Sequence, residues 1–247
     1  MPSRTEYQDR KDRVLSIVVD HYVKTITPVS SGYIAQDYNL DLSPATIRNI
    51  LAELEEDGFL THPHTSAGRL PTQAGYRYYV DNLMHEIKLL KAEKDRIRSE
   101  YRKNVLALEA LLEKTSEVVS EVTHYTSIIS VDGWHGKLFC RGTSLVAGYP
   151  DFQDFKKIKE ILTVLEEKER IWEIINRNLE KKIEIYIGHE LSCSDIEHCS
   201  MAVSSYKTSK GTSGRIAVLG PTRMDYERVV STLDYFSELM NEIVPNR

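Results

Sequence analysis

The sequence predicts an α+β fold, and three observations predict it. Segments with apolar residues at helical spacing alternate with short runs rich in β-branched residues. The first 85 residues read in the order helix, helix, turn, helix, hairpin. Near the other end, SMAVSSY and RIAVLG are joined by KTSKGTSG, a hairpin-like spacing that implies antiparallel pairing. A chain of 247 residues has room for roughly two domains. The boundaries fall at 1–85, at a long connecting helix over 86–122, and at 123–247.

The elements follow from local chemistry. In DRKDRVLSIVVDHYVK (9–24) apolar residues recur at Val14, Ile17 and Val18, then at the His21/Tyr22 pair, a helical period. A second short helix, SSGYIAQDYN, begins at Ser30 or Ser31 after TPVSS breaks the first. LDLSP is a turn in which Ser43 is a good N-cap and Pro44 takes the first helical position, where its missing N–H costs nothing. The third helix is ATIRNILAELEED, and Gly58 supplies its stop. FLTHP and RLP suit a two-stranded hairpin, after which Thr72 can cap a fourth helix, QAGYRYYVDNLM. This order is that of a winged helix-turn-helix, although organisation alone fits any small α+β domain equally well.

From Ile87 to Val122 there is no Pro or Gly, so one helix of up to ~36 residues, or ~54 Å, fits. Ile87, Leu90, Ile97, Tyr101, Leu108, Leu111, Val118 and Val122 form an imperfect heptad seam interrupted by Lys94, Asn104 and Thr115. It reads either as a connector packed on its own chain or as part of a dimer contact. Beyond it, TSIISV, KLFC, KIEIYIG, SMAVSSY and RIAVLG read as strands. Two helices lie between Phe152 and Leu179 and a last one runs from Tyr226 to Val244, with the helices expected on one face of the sheet.

Composition excludes several classes. The chain is 41% hydrophobic and 28% charged, and no apolar run approaches the ~20 residues of a membrane helix. Its polar start, MPSRTEYQDRKDR, lacks the apolar core of a secretory signal, so the expected location is the cytoplasm and no membrane is expected as a partner. Three cysteines (Cys140, Cys193, Cys199) are no disulfide framework. A formal net charge of -5 argues against a nucleic-acid partner, and the first 85 residues carry eight Lys/Arg against eleven Asp/Glu. Yet Gly58 to Val80 contains no acid at all, only Arg69, Arg77, His62, His64 and three tyrosines among its polar rings and cations.

The third helix explains why such a window matters. At ~100° per residue Ile47, Ile50, Leu51 and Leu54 share one stripe, the core side. Ala45, Arg48, Asn49 and Ala52 take the opposite side. Two alanines let a backbone come close, Arg can pair with guanine or hold phosphate, and Asn can pair with adenine. Glu53, Glu55, Glu56 and Asp57 crowd the far end, so only the N-terminal half could enter a groove. The hairpin would bring Arg69, His62 and His64 beside a polyphosphate, with Thr65 and Ser66 as hydroxyl donors. The candidate DNA-contacting residues are Ser43, Ala45, Thr46, Arg48, Asn49, His64, Thr65, Ser66 and Arg69.

LSPATIRNILAELEEDGFLTHPHTSAGRLPTQAGYRYYVD (Leu42–Asp81) resembles the DNA-binding domain of the bacterial heat-inducible transcription repressor family, HrcA. IGHE (Ile187–Glu190), CSMAVSSY (Cys199–Tyr206) and GRIAVLGPTRMDYERVV (Gly214–Val230) resemble that family's C-terminal signature. The resemblance implies a homodimeric repressor with an N-terminal winged helix and a GAF-like C-terminal domain. It implies an inverted-repeat operator in double-stranded DNA upstream of chaperone and chaperonin operons, release on heat stress, and a GroE-type chaperonin as a partner. Family members are usually longer, with a dimerising module inserted in the GAF-like domain. Here only SIISVDGWHGK precedes LFCRGTSLVAGYPDF, so the insert is missing or greatly reduced.

Other chemistry is set aside. His189, Cys193, His198 and Cys199 have a spacing that fits no familiar zinc site. GPTRMDY reads as a strand end in which Thr222 caps the last helix and Arg223 with Asp225 holds the junction. No Ser-His-Asp grouping, Walker loop or dinucleotide fingerprint appears, so neither an enzyme nor a cofactor is expected. The alternative function is a transcription factor gated by a small effector bound in the C-terminal domain.

Overall fold

The computed structural model describes residues 4–38, 40–63, 68–85, 89–104, 108–134, 137–177, 179–209 and 211–242. The chain divides into two compact units, Met1–His85 and Glu86–Arg247.

In the first unit α1 (Arg4–Thr25), α2 (Ser31–Asp37) and α3 (Pro44–Glu56) enclose an aliphatic core. Val14, Leu15, Val18 and Val19 of α1, Ile34 of α2, and Ile47 and Ile50 of α3 are each 0% exposed. The caps are local and follow the sequence. Ser30 Oγ accepts from Tyr33 N at 3.2 Å, and Ser43 Oγ accepts from Thr46 N at 3.1 Å, with Pro44 opening α3. Gly58 ends α3 with φ of 80°, a left-handed conformation that glycine adopts without cost. α1 starts one turn earlier than apolar spacing alone suggests. Its polar first turns gain partners on α3, since Tyr7 and Lys11 both bond to carboxylates there.

β1 (Leu60–Thr61) and β2 (Leu70–Pro71) pair antiparallel, Leu60 with Pro71 and Thr61 with Leu70. Val29, between α1 and α2, adds a third edge. Its N–H donates to Arg69 O and its carbonyl accepts from Arg69 N, both at 2.8 Å. Gly68 makes this approach possible, because a Cβ there would lie 2.5 Å from the Val29 carbonyl carbon. Thr72 Oγ1 accepts from Gly75 N and begins α4 (Gln73–Tyr78), which widens into a single π-helical turn over Tyr79–Leu83.

The second unit is built on a five-stranded antiparallel sheet in the order β4-β3-β7-β6-β5. The strands are β3 (Thr126–Val131), β4 (Leu138–Arg141), β5 (Ile183–Ile187), β6 (Cys199–Lys207) and β7 (Ser213–Pro221). Each coincides with a strand-like run in the sequence. The placement of helices does not follow the expectation of one covered face. α7 (Phe155–Glu166) and α8 (Lys168–Ile175) pack on Ile128, Met201, Val203, Ala217 and Leu219. Residues of the opposite parity face α9 (Tyr226–Glu242), where Ser200 Oγ lies 2.9 Å from Tyr226 Oη and Ser204 Oγ 2.8 Å from Ser237 Oγ. α6 (Leu108–Thr123) covers β3 and β4, with Ser116 Oγ donating to Phe139 O at 3.1 Å. Hence every residue of β3 is buried.

The helical stretch expected over 87–122 contains α5 (Lys91–Asn104) and α6; residues 105–107 lie outside the described residues. Along its seam Leu111, Val118 and Val122 are at most 3% exposed within their own unit. Those three positions are spent on the chain itself. Leu90 is 70% exposed.

Gly68→Ala is expected to destabilise the protein by about 1–3 kcal/mol, because the methyl group would collide with main chain that cannot move aside. A urea or thermal melt of the variant checks this, and an unchanged midpoint contradicts the close approach.

Candidate nucleic-acid interface

The exposed face of α3 is set by what the other face buries. Ile47, Ile50, Leu51 and Leu54 are at most 5% exposed, against α1 and α2. Helical geometry then turns Ala45, Arg48, Asn49 and Ala52 outward, and all four are exposed. Ser43 and Thr46 stand at the start of the same helix, their hydroxyls 2.9 Å apart. Both hydroxyls therefore serve the cap as well as the surface. His64, Thr65 and Ser66 lie outside the described residues.

Three of the four acids at the end of α3 are paired within the protein, and the fourth, Glu56, is exposed. Tyr7 Oη donates to Glu53 Oε1 at 2.6 Å, and Lys11 Nζ reaches Asp57 at 2.7 Å and Glu53 at 3.4 Å. Glu55 receives the hairpin: Arg69 Nη2 lies 2.7 Å from its Oε2, and His62 Nδ1 is hydrogen-bonded to its Oε1. The window from Gly58 to Val80, free of acids in sequence, is thus not free of them in space. Tyr78 Oη donates to Asp12 at 3.0 Å, Tyr79 Oη to Asp20 at 3.0 Å, and Arg77 pairs with Asp81 at 3.3 Å. Glu55 is the residue that sequence reasoning assigned only to an acidic cluster. Its two partners sit seven and fourteen positions downstream, past the end of α3 at Glu56, where helical spacing no longer applies.

These pairings shift the groups involved. The hydrogen bond to Glu53, with some burial, raises the Tyr7 phenol above its ordinary value. Burial raises Tyr78, and the bond to Asp12 adds to it. For Lys11 burial lowers the ammonium, but Asp57 and Glu53 outweigh it and the net direction is upward.

The remaining candidates sort themselves by partner. Arg223 pairs with Asp151, its Nε 2.8–2.9 Å from the carboxylate oxygens. Asp225 accepts from Arg228 N at 3.0 Å and so caps α9, the role expected of Thr222. Among the described residues no group of three or more His, Cys, Asp or Glu side chains could hold a metal ion. Cys199 is 1% exposed and burial pushes its thiol strongly upward, away from the thiolate that metal ligation needs. No described helix is long and apolar enough to cross a membrane.

Comparison with known proteins names the class first: over nearly its whole length the chain is a relative of bacterial transcription repressors. The family is HrcA. The model of the HrcA protein C terminal domain matches residues 130–230. The heat-inducible transcription repressor HrcA of Carboxydothermus hydrogenoformans is 29% identical over 337 residues, covering 97% of this chain and 98% of that protein. Its namesake from Symbiobacterium thermophilum is 28% identical over 334 residues, covering 95% and 98%. A chain of 247 residues leaves at least 90 of those 337 aligned positions empty. A crystal structure of a hypothetical protein superposes with a TM-score of 0.73 at 16% identity, covering 95% of this chain and 96% of the other. That likeness is one of fold.

The raised Lys11 group gives a pH test with a definite sign. A lysine whose folded value lies above its unfolded value contributes stability at neutral pH and loses it as pH climbs from the unfolded value, about 10.4, through the folded one. Lys11→Met is expected to cost about 1 kcal/mol or less at pH 7, because Glu53 and Asp57 are partly exposed. The gap between wild type and variant should narrow in urea melts as pH climbs past about 10.4. A gap that persists there removes Lys11 from the account.

Proposed function

We propose that the chain is a negative regulator of transcription of chaperone and chaperonin operons that binds an inverted-repeat operator as a homodimer and releases it on heat stress. In this reading residues 1–85 are a winged helix-turn-helix and 123–247 a GAF-like regulatory domain that also serves dimerisation, with 86–122 as a connecting and dimerising segment. The observation that carries it is the outward face of α3, where Arg48 and Asn49 stand exposed between two alanines while Glu53, Glu55 and Asp57 at the far end are held by Tyr7, Lys11, His62 and Arg69. Such a face can enter a groove without meeting its own carboxylates. Ser43, Ala45 and Thr46 border its entry, and His64, Thr65 and Ser66 are proposed as further DNA contacts. Arg69 belongs to the same surface through the hairpin it anchors. The relatives' name, heat-inducible transcription repressor, supports the regulatory role, and the GroE-type chaperonin partner rests on the family resemblance. A transcription repressor needs neither a catalytic group nor a cofactor, and its operator places it in the cytoplasm.

A second reading, gating by a small effector, has one observation in its favour. An open cleft of about 860 Å³ in the second unit is lined by Glu93, Arg96, Ser120, Arg141, Ser144 and Arg228, among others. Under that reading, crude metabolite extract should change DNA affinity where buffer does not.

A gel shift with an inverted-repeat duplex and with its half-site tests the main reading: the full site should bind, and the half-site far more weakly. Failure of the folded protein to retard palindromic duplexes at low salt refutes it. Arg48→Ala is expected to weaken operator binding by about 1–3 kcal/mol while leaving random duplexes nearly unaffected. Equal loss on both would make Arg48 a phosphate contact. If the dimer is coupled to folding, the melting temperature should rise with protein concentration, and a concentration-independent melt opposes that coupling.

A further inference from the structure

Glu55 stands seven residues after Arg48, and seven residues are close to two helical turns. The carboxylate therefore lies at the far end of the same stripe that carries Arg48 and Ala52. At that end the hairpin leaves and returns. His62 follows β1 on the outgoing side, and Arg69 precedes β2 on the returning side. Both are tied to the one carboxylate, His62 Nδ1 to Oε1 and Arg69 Nη2 to Oε2 at 2.7 Å. The Arg69 main chain is fixed independently by its two 2.8 Å hydrogen bonds with Val29. The Arg69 and Glu55 side chains are 23% and 25% exposed, so the pair is shielded from most of the solvent.

We infer that Glu55 is a positioning residue, which clamps both legs of the hairpin to α3 and so sets where the hairpin lies relative to Arg48 and Asn49. Arg69 acts through this clamp and not as a phosphate ligand. A phosphate would have to displace a carboxylate that already holds the guanidinium in a sheltered position. Removing the carboxylate leaves Arg69 without its clamp and beside His62, whose charged form would repel it, so the hairpin legs lose their common anchor.

The inference rests on the DNA-binding reading, and it makes a prediction of unusual sign. Counter-ion arithmetic alone says that deleting a negative charge beside a DNA-binding surface tightens binding. The clamp says that it weakens it. The experiment is fluorescence anisotropy with an arbitrary-sequence duplex of about three helical turns, titrated at several salt concentrations, on wild type, Glu55→Gln, Arg69→Gln and the double variant. Expected is a loss of about three- to tenfold for each single variant, the range between an exposed and a partly buried ion pair. The double variant should lose no more than either single one, since both break one interaction, and the salt slope should be unchanged. Tighter binding by Glu55→Gln overturns the inference. So does a salt slope smaller by about 0.9 in Arg69→Gln, the signature of one lost phosphate contact.

Amide hydrogen exchange on the free proteins reads the clamp without DNA. In Glu55→Gln, exchange at Thr61, Arg69 and Leu70 should accelerate while Val18 in α1 stays protected. Unchanged exchange at the hairpin also overturns the inference. If wild type ignores the duplex, the DNA-binding reading fails while the exchange result still stands for the clamp. Should Glu55→Gln not fold, Glu55→Asp keeps the charge but shortens its reach by one methylene, and the same weaker binding is expected of it. Wild-type affinity in that variant counts against the clamp.

Discussion

Burial of four aliphatic side chains fixes the rotation of α3, and the rest of the first unit depends on that rotation. Ile47, Ile50, Leu51 and Leu54 leave water together against α1 and α2. At roughly 25 cal/mol per Å² of apolar surface such burial far exceeds anything the polar face could contribute. The core thus decides which residues face outward, and the outward face inherits Arg48 and Asn49 as a geometric consequence. The same rotation points Glu53 and Asp57 at Tyr7 and Lys11 of α1, and Glu55 at the hairpin.

Local chemistry made much of this legible in the sequence. Caps at Ser30, Ser43 and Thr72, the stop at Gly58 and the two faces of α3 are governed by residues within four positions of one another. A reader needs only helical periodicity to find them. Glu55 was not legible in that way. Its partners are set by how the hairpin folds back, since α3 ends at Glu56 and helical spacing stops before positions 62 and 69. Arg223 is a similar case: Asp151, 72 positions earlier in the chain, holds its guanidinium, and no local pattern joins the two.

The second unit shows a different kind of illegibility. TSIISV and SMAVSSY mix hydroxyl residues with aliphatic ones, a pattern that reads as one dry face and one wet face. In the fold both faces are dry. Ser200 and Ser204 are 0% exposed and reach Tyr226, Ser237 and the Lys182 carbonyl. A buried hydroxyl with a partner costs little, whereas one without would cost about 1–3 kcal/mol. In β6 the alternation records two kinds of helix packing, Met201 and Val203 toward α7 and α8, Ser200 and Ser204 toward α9. The seam of the long helical segment has a comparable history. Leu111, Val118 and Val122 look like a dimer stripe in sequence, but β3, β4 and α9 of the same chain account for them.

Ala45 and Ala52 have one more implication. Neither methyl group has rotamers to lose, so immobilising that side of α3 against another surface freezes few torsions. On the stripe itself the entropic penalty falls on Arg48 and Asn49, at roughly 0.5–1.5 kcal/mol for each long, rotamer-rich side chain. A docking surface so sparsely furnished with flexible groups can settle and leave at little conformational expense.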